Sequence, residues 1–240
     1  MAMTTVLLPG EAVPTVSLPK AKKGTLRLGP GLRHLPPASI LATTSGALQV
    51  DHKKSALWLE HPTGRYQPVV GDLVIAQIHH SSVDVYHCII TPHTSYALLG
   101  QLAFEGASKK TRPQLKSGDL VYARVTKANK WDDTELECVS ASTGKSEGMG
   151  PLKNGMLFHV SPAFARRLMM GSTKGGVVVL EEVGEKVKFE VAVGRNGGVW
   201  VDSAGIRETV MIGRLLREAE EGEIGVEDQK KLVKKALKDI

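Results

Sequence analysis

The sequence is poor in cysteine and contains no long apolar run. Its 2 cysteines, Cys88 and Cys138, lie in separate segments without a CxxC pair, which argues against a disulfide framework or a zinc site and favours a reducing compartment. No segment approaches the roughly 20 apolar residues of a membrane-spanning helix. Residues 1–10 lack the basic and apolar regions of a secretory signal. We therefore expect a soluble intracellular protein.

Aromatic residues and excess charge are also limited. Phe, Trp and Tyr make up only 5% of the 240 residues, so a surface that stacks on nucleic-acid bases has to be small. Basic residues outnumber acidic ones by 31 to 25, which gives a net charge of +6. This excess favours a polyanionic partner that is contacted through a few phosphates. The length and the 42% of hydrophobic residues allow two or three small packed domains.

Three segments differ in pattern, and they predict three domains. Residues 1–65 contain most of the 12 prolines, interspersed with glycines, which excludes long helices and predicts a β-rich domain with short strands at 26–28, 46–50 and 56–59. In residues 66–147, short apolar runs alternate with turn residues and predict five strands, at 73–78, 83–90, 96–99, 120–127 and 135–140. Their number and spacing are typical of a small closed β-barrel of the OB type.

Residues 148–240 predict an α+β domain. Strands are expected at 156–160, 177–181, 186–193 and 199–201, and Ser161-Pro162 is typical of a helix start, here for a helix at 164–170. Apolar residues with helical spacing then predict two C-terminal helices, one containing Ile206 and Leu216 and the other Leu232 and Ile240.

Four short segments carry a resemblance to a known family: Gly71-Asp72, residues 107–113 (ASKKTRP), 118–125 (GDLVYARV) and 193–200 (VGRNGGVW). They resemble the non-catalytic cap subunits of the eukaryotic RNA exosome, in the family of ribosomal RNA-processing protein 40. The resemblance implies an N-terminal β-rich domain, an S1-type OB-fold domain and a KH-type domain, in that order. It also implies no cofactor.

The resemblance further implies partners and a location. Such subunits sit on a ring of RNase PH-like subunits beside other cap subunits, in the nucleus, the nucleolus and the cytoplasm. They stabilise the ring and guide single-stranded RNA into its central channel, where other subunits carry out 3'-5' processing and degradation, including that of ribosomal RNA.

Lys109, Lys110 and Arg112 are the first candidate RNA-binding residues. They lie in a segment without apolar periodicity between the third and fourth predicted barrel strands, where long basic side chains can contact a phosphate backbone. Three such contacts predict a log-log salt slope of about −2. Arg124 and Lys127 on the next strand are further candidates, although their spacing places them on opposite faces unless a β-bulge intervenes.

Tyr86 is the candidate for base stacking, with Tyr122 and Trp131 as alternatives, although aromatic residues on strands more often belong to a core. Gly194, Asn196 and Gly197 resemble the GxxG loop by which KH domains clamp RNA. Strand-like residues flank them, however, and Asn-Gly is a strong hairpin signal. We therefore predict a structural turn in which Gly197 adopts a positive φ.

Two enzymatic or metal-binding alternatives remain open. His79, His80, His87 and His93 are crowded on two predicted strands, but neighbouring strand residues point in opposite directions, so His79 and His80 are not expected to share an ion. The acidic cluster Asp132, Asp133, Glu135 and Glu137 could form a two-metal nuclease site, although a polar turn and a solvated strand face also explain it. A free RNA chaperone or translation factor with the same barrel is the third hypothesis. We predict no catalytic residue and no metal ligand.

Overall fold

The computed structural model describes residues 5–15, 18, 26–52, 55–60, 64–129, 131–171, 176–222 and 225–237. The chain divides into two compact units, residues 1–64 and 65–240. Within the described residues, every helix is too short or too polar to cross a bilayer.

The first unit is a small β-structure. Its strands are β1 (Val6–Leu7), β2 (Arg27–Leu28), β3 (Leu32–Leu35), β4 (Ser39–Ala42), β5 (Gly46–Asp51) and β6 (Ala56–Glu60). Strands β1, β5, β6 and β2 form one sheet in that order, and β3 pairs with β4. Leu57 and Leu59 alternate into a small core with Leu7 and Ile40 because successive strand residues point to opposite faces.

The second unit begins with a closed β-barrel. Its strands are β7 (Leu73–Ser81), β8 (Val85–Ile89), β9 (Ala97–Gly100), β10 (Leu120–Lys127), β11 (Glu135–Glu137) and β12 (Gly150–Leu152). The sheet order is β11-β9-β8-β7-β10-β12, and an additional β10–β11 pairing closes the barrel. Val121, Ala123 and Val125 of β10 are fully buried, as the period of two predicts. The predicted five-stranded barrel is confirmed, with β12 added beside β10.

The barrel has two ends with different loops. We call the end where β7 finishes and β10 begins the distal end, which carries the 82–84 turn and the 101–119 linker. The opposite end, with segments 66–72, 91–96 and 128–134, is the proximal end. Leu120 and Lys127 lie seven residues apart on β10, so the ends are separated by roughly 23 Å at the usual rise of a strand.

An α+β domain follows. Its elements are β13 (Met156–His159), α1 (Pro162–Met169), α2 (Val179–Gly184), β14 (Phe189–Val193), β15 (Gly198–Ser203), α3 (Ile206–Glu221) and α4 (Val226–Ala236). The strands form an antiparallel sheet in the order β13-β15-β14. As predicted, Ser161 caps α1: its Oγ accepts a hydrogen bond from the Phe164 amide at 3.1 Å.

The strand predicted at 177–181 is wrong, because α2 begins at Val179. The run of β-branched residues at 177–179 favours a strand locally. Val179 and Val183 lie one helical turn apart, however, and both are fully buried in the core that includes Ile212 and Leu216 of α3. Tertiary packing therefore overrides the local preference.

Candidate nucleic-acid interface

The segment with the KH-like glycines is a turn that joins the α+β domain to the barrel. It connects β14 to β15, and Gly197 adopts a φ of 86°. A Cβ atom on Gly197 would overlap the Val160 carbonyl oxygen, so both the conformation and the space require glycine. Gly194 is restricted by space alone, since its Cβ would lie 2.7 Å from the Ile75 nitrogen of β7.

Asn196 binds the barrel backbone through both atoms of its amide. Its Oδ1 accepts from the Ile75 N–H at 3.2 Å, while its Nδ2 donates to the carbonyl oxygens of Ile75 at 2.8 Å and Ile90 at 2.7 Å. Strand β8 ends at Ile89, so the side chain takes the place of a peptide group beside β7. The residue that resembled part of an RNA clamp is therefore engaged in holding two domains together.

An ion pair and an apolar contact surround this turn. The Arg195 Nε lies 3.6 Å from Oδ1 of Asp72, and the other oxygen of Asp72 accepts a hydrogen bond from the Tyr66 hydroxyl at 2.8 Å. Burial, followed by this hydrogen bond, raises the pKa of Tyr66 well above its usual range. Beside them, Ile75 packs in a buried cluster with Trp200.

Tyr122 belongs to the same junction. It packs against this cluster, and its hydroxyl donates to the Val193 carbonyl at 3.0 Å. The hydroxyl is therefore engaged with the neighbouring domain. Burial raises the pKa of Tyr122.

Lys109 and Lys110 occupy the tip of a tight turn at the distal end. Ser108 and Thr111 flank them, with hydroxyl oxygens 2.8 Å apart, and the Ser108 N–H donates to Thr111 Oγ1 at 3.0 Å. The Arg112 N–H closes the turn by donating to the Ser108 carbonyl at 2.9 Å. Both lysines are exposed, and neither has an ion-pair partner in the part of the chain that the structure describes. This turn, residues 108–111, which we call the lysine turn, thus presents two adjacent cations to solvent.

Arg112 points back to the barrel instead. Its guanidinium donates to Oε1 of Gln101, a residue that is 4% exposed. The Gln101 Nε2 in turn donates to Ser81 Oγ at 3.0 Å and to the Ser82 carbonyl at 2.8 Å. Arg112 therefore connects the lysine turn to the end of β7, and one of its donors is already engaged.

A β-bulge brings Arg124 and Lys127 to the outer surface together. The pairing of β10 with β11 shifts register between Val125 and Lys127, which is the irregularity that their spacing required. Both cations face carboxylates: Arg124 lies 3.9 Å from Glu147, and Lys127 lies 3.3 Å from Glu135. Surface pairs of this kind contribute at most about 1 kcal/mol each, but they leave these cations less open to phosphate than Lys109 and Lys110.

The prediction that Tyr86 stacks on RNA is wrong. Tyr86 is only 3% exposed and belongs to the barrel core. Its hydroxyl donates to the Pro113 carbonyl at 2.6 Å, which anchors the linker that carries the lysine turn. Trp131, the alternative on the β10–β11 hairpin, is 86% exposed but lies at the proximal end, away from the lysine turn.

Comparisons with known proteins agree along the chain. Three family models match: the N-terminal domain of exosome complex exonuclease Rrp40 over residues 26–65, the S1 domain of exosome complex component RRP40 over 66–150 and a KH domain over 155–206. Exosome complex component rrp40 of Schizosaccharomyces pombe is 38% identical over 88% of this chain and 87% of its own length. The chain belongs to the RRP40 family of exosome components.

Further relatives in the RRP40 family are found in distant organisms. The Drosophila melanogaster protein is 36% identical over 92% of this chain and 91% of its own length, and the Saccharomyces cerevisiae protein is 35% identical over 90% and 89%. A crystal structure of a protein described as an exosome complex RNA-binding protein has a TM-score of 0.58 at 22% identity, over 73% of this chain and 97% of that one. That likeness supports the fold. The matching family models identify the barrel as an S1 domain and the α+β domain as a KH domain.

Two of the four residues of the acidic cluster in the S1 domain, Asp132 and Glu135, flank a lysine. The Lys127 Nζ lies 3.4 Å from Asp132 and 3.3 Å from Glu135, and these carboxylates raise its pKa. An ammonium group thus occupies the space between the two carboxylates. A two-metal site would need that space for its ions. In the described residues, no group of three or more His, Cys, Asp or Glu side chains could hold a metal ion.

The histidines of β7 and β8 form a cluster that the sequence reasoning missed. The β7–β8 pairing shifts register between Ile78 and His80, so the expectation that His79 and His80 point in opposite directions is wrong. Their Nδ1 atoms lie 2.8 Å apart. We call His79, His80, His87 and Tyr96 the ring cluster, because each ring lies 4.2 to 6.2 Å from another member of the set.

One signal in the sequence could have revealed the ring cluster. Apolar and polar residues alternate from Ala76 to His79, and the alternation ends there because His80 and Ser81 are also polar. Such a break in period is typical of a bulge. His93 lies outside the cluster, in the 91–96 loop, with a φ of 60°.

Proposed function

We propose that this chain is a non-catalytic, RNA-binding cap subunit of an exosome complex. In this role it guides single-stranded RNA towards subunits that degrade or process it from the 3' end. The observation that carries the proposal is the pair of exposed cations, Lys109 and Lys110, on a hydrogen-bonded turn at one end of an S1 barrel. OB-type barrels bind single strands through a sheet face and adjoining loops.

The proposed partners are RNase PH-like ring subunits, other cap subunits and single-stranded RNA. The first unit and the KH domain supply surface for the protein neighbours, while the lysine turn contacts RNA phosphates. We place the protein in the nucleus and nucleolus and also in the cytoplasm, where such a complex meets its substrates.

The test is RNA affinity measured over a range of salt concentrations. Each phosphate contact to a single strand contributes about 0.7 to the log-log salt slope. The full chain carrying both Lys109→Ala and Lys110→Ala should therefore bind a single-stranded oligoribonucleotide more weakly, with a slope smaller by about 1.4. Replacement of Lys234 and Lys235 on α4 by alanine removes the same charge from another exposed pair and provides the matched control.

Three results would contradict the proposal. Equal affinities and slopes for the two double variants would reject the lysine turn as the RNA contact. Shortening of the RNA by the purified wild type in Mg²⁺, prevented by Asp133→Ala, would assign the acidic cluster a nuclease activity instead. Recovery of the chain from cells in a particle with ring subunits, identified by mass, tests the assembly; recovery only as a monomer would reject it.

A further inference from the structure

We propose that the ring cluster of His79, His80, His87 and Tyr96 is a stacking platform for the bases of single-stranded RNA. This inference rests on the proposed function, which assigns RNA phosphates to the lysine turn, and adds a separate contact that depends on the bases. The rings lie on β7 and β8 and immediately before β9, and none of the four residues belongs to the KH junction or to the acidic cluster.

The rings already stack on one another at the spacing of aromatic pairs. His80 and His87 are nearly parallel, with centroids 4.2 Å apart and planes inclined by 10°, and His79 stacks on Tyr96 at 4.7 Å and 29°. His79, His80 and Tyr96 are exposed, with 39% of the Tyr96 surface open to solvent. Every base has a π-face, so a base can extend such a stack without a specific sequence.

Hydrogen bonds within the cluster hold the rings before any ligand arrives. His79 and His80 share a bond between their Nδ1 atoms at 2.8 Å, and the Tyr96 hydroxyl lies 3.3 Å from His79 Nε2. A side chain that is ordered in advance loses less rotamer freedom on binding. The cluster is therefore a preformed surface rather than a set of independent rings.

A metal ion is a poorer occupant than a base. His80 and His87 face each other through their ring planes, whereas metal ligands must direct ring-nitrogen lone pairs to one point. The exposed rings of His79, His80 and Tyr96 suit a flat partner instead.

The cluster is also continuous with the lysine turn. Arg112 of the turn region bonds to Gln101, and Gln101 bonds to Ser81, the residue next to His80. On the other side of β7, the Gly118 N–H donates to the Ile78 carbonyl at 2.8 Å, and exposed Lys116 lies in that same turn. A single-stranded RNA whose phosphates contact the lysine turn can thus place its next bases on the ring cluster of β7 and β8.

The experiment compares two probes, a short oligoadenylate and an abasic oligoribose phosphate of the same length. Loss of one stacked base contact lowers affinity by about tenfold. The full chain carrying His80→Ala and Tyr96→Ala should bind oligoadenylate about tenfold more weakly and the abasic probe as well as the wild type does. Replacement of both residues by Phe keeps the rings and should keep the affinity, while His159→Ala, an exposed histidine of β13, should change neither.

The outcomes separate this inference from the function on which it rests. The Lys109→Ala, Lys110→Ala variant should lose affinity for both probes. If that variant does so while the His80→Ala, Tyr96→Ala variant binds oligoadenylate like the wild type, the platform is rejected and the phosphate contact stands. Equal losses on both probes for the ring variant would also reject stacking. If the wild type binds neither probe, the proposed function itself fails.

Discussion

Replacing Asn196 by alanine should lower the free energy of unfolding of the joined S1 and KH domains by more than the small size of the side chain suggests. The substitution removes three hydrogen bonds to main-chain groups of the barrel, one from the Ile75 N–H and two to the carbonyls of Ile75 and Ile90. Strand β8 has already ended beside them, so no neighbouring strand replaces the lost partners of Ile75.

The magnitude follows from the cost of leaving these groups without a partner. A hydrogen bond contributes about 1 kcal/mol net, and a buried group that loses its partner costs about 1 to 3 kcal/mol. Three bonds at the lower value give a loss of about 3 kcal/mol in the free energy of unfolding. For a domain of this size, about 2 to 4 °C per kcal/mol corresponds to a melting temperature lower by about 6 to 12 °C.

Urea denaturation followed by tryptophan fluorescence provides the assay, because Trp200 is buried in the junction. Asn129→Ala is the matched control, since Asn129 is exposed and its amide lies 3.5 Å from its partner Asp132. Asn196→Asp keeps an acceptor but loses both donors and places charge against two carbonyls, so it should be at least as destabilising. A stability of Asn196→Ala within about 0.5 kcal/mol of the wild type, as for an ordinary surface change, would refute the role of the amide.

Two further predictions concern packing and thiol chemistry. Gly213→Ala should destabilise the protein by about 1 to 3 kcal/mol because the new Cβ would overlap the Phe158 ring, although glycine-to-alanine changes usually stabilise a helix. Adding Phe158→Leu should restore most of the melting temperature. A Gly213→Ala variant more stable than the wild type would contradict this packing. Burial raises the pKa of the Cys88 and Cys138 thiols to about 12, so both remain thiols at pH 8 and should react with a disulfide reagent only after unfolding in urea. Rapid labelling of the native protein at that pH would contradict their burial.

The repeated Gly-Asp-Leu-Val motif illustrates what the sequence predicts and what it does not. Both copies open a strand, as local turn chemistry indicates, and Gly71 and Gly118 have φ values of 93° and 97°. Asp119 remains local, because its Oδ2 accepts the Lys116 N–H at 2.7 Å. Asp72 instead bonds to Tyr66 and pairs with Arg195 of the KH domain. The turn was predictable from neighbouring residues, whereas this second role depends on a partner 123 positions away in the numbering of the chain.

The candidate site was predictable from the sequence where it depends on local polarity. The prediction was wrong where the site depends on strand register. The exposed turn at Lys109 and Lys110 follows from a polar segment between two strands. Tyr86 failed as a stacking residue because period-two alternation places it in the barrel, and the side of a strand that faces the interior is set by pairing with distant strands. The bulges at β7 and β10 change facing by one residue, and that single step brings His79 beside His80.

The two ends of the S1 barrel carry different features: the proximal end carries the junction with the KH domain, and the distal end carries the lysine turn. The proximal end is occupied by the KH domain through Asn196 and Arg195, whose partners on the barrel are main chain and a carboxylate. The distal end carries the lysine turn, which bonds internally and to the end of β7. Because roughly 23 Å of β10 separates these ends, substitutions at the two sites share no partners and their free-energy effects should add. A change at Asn196 should therefore reduce stability while leaving the salt slope of RNA binding unchanged, and a change at Lys109 should do the reverse.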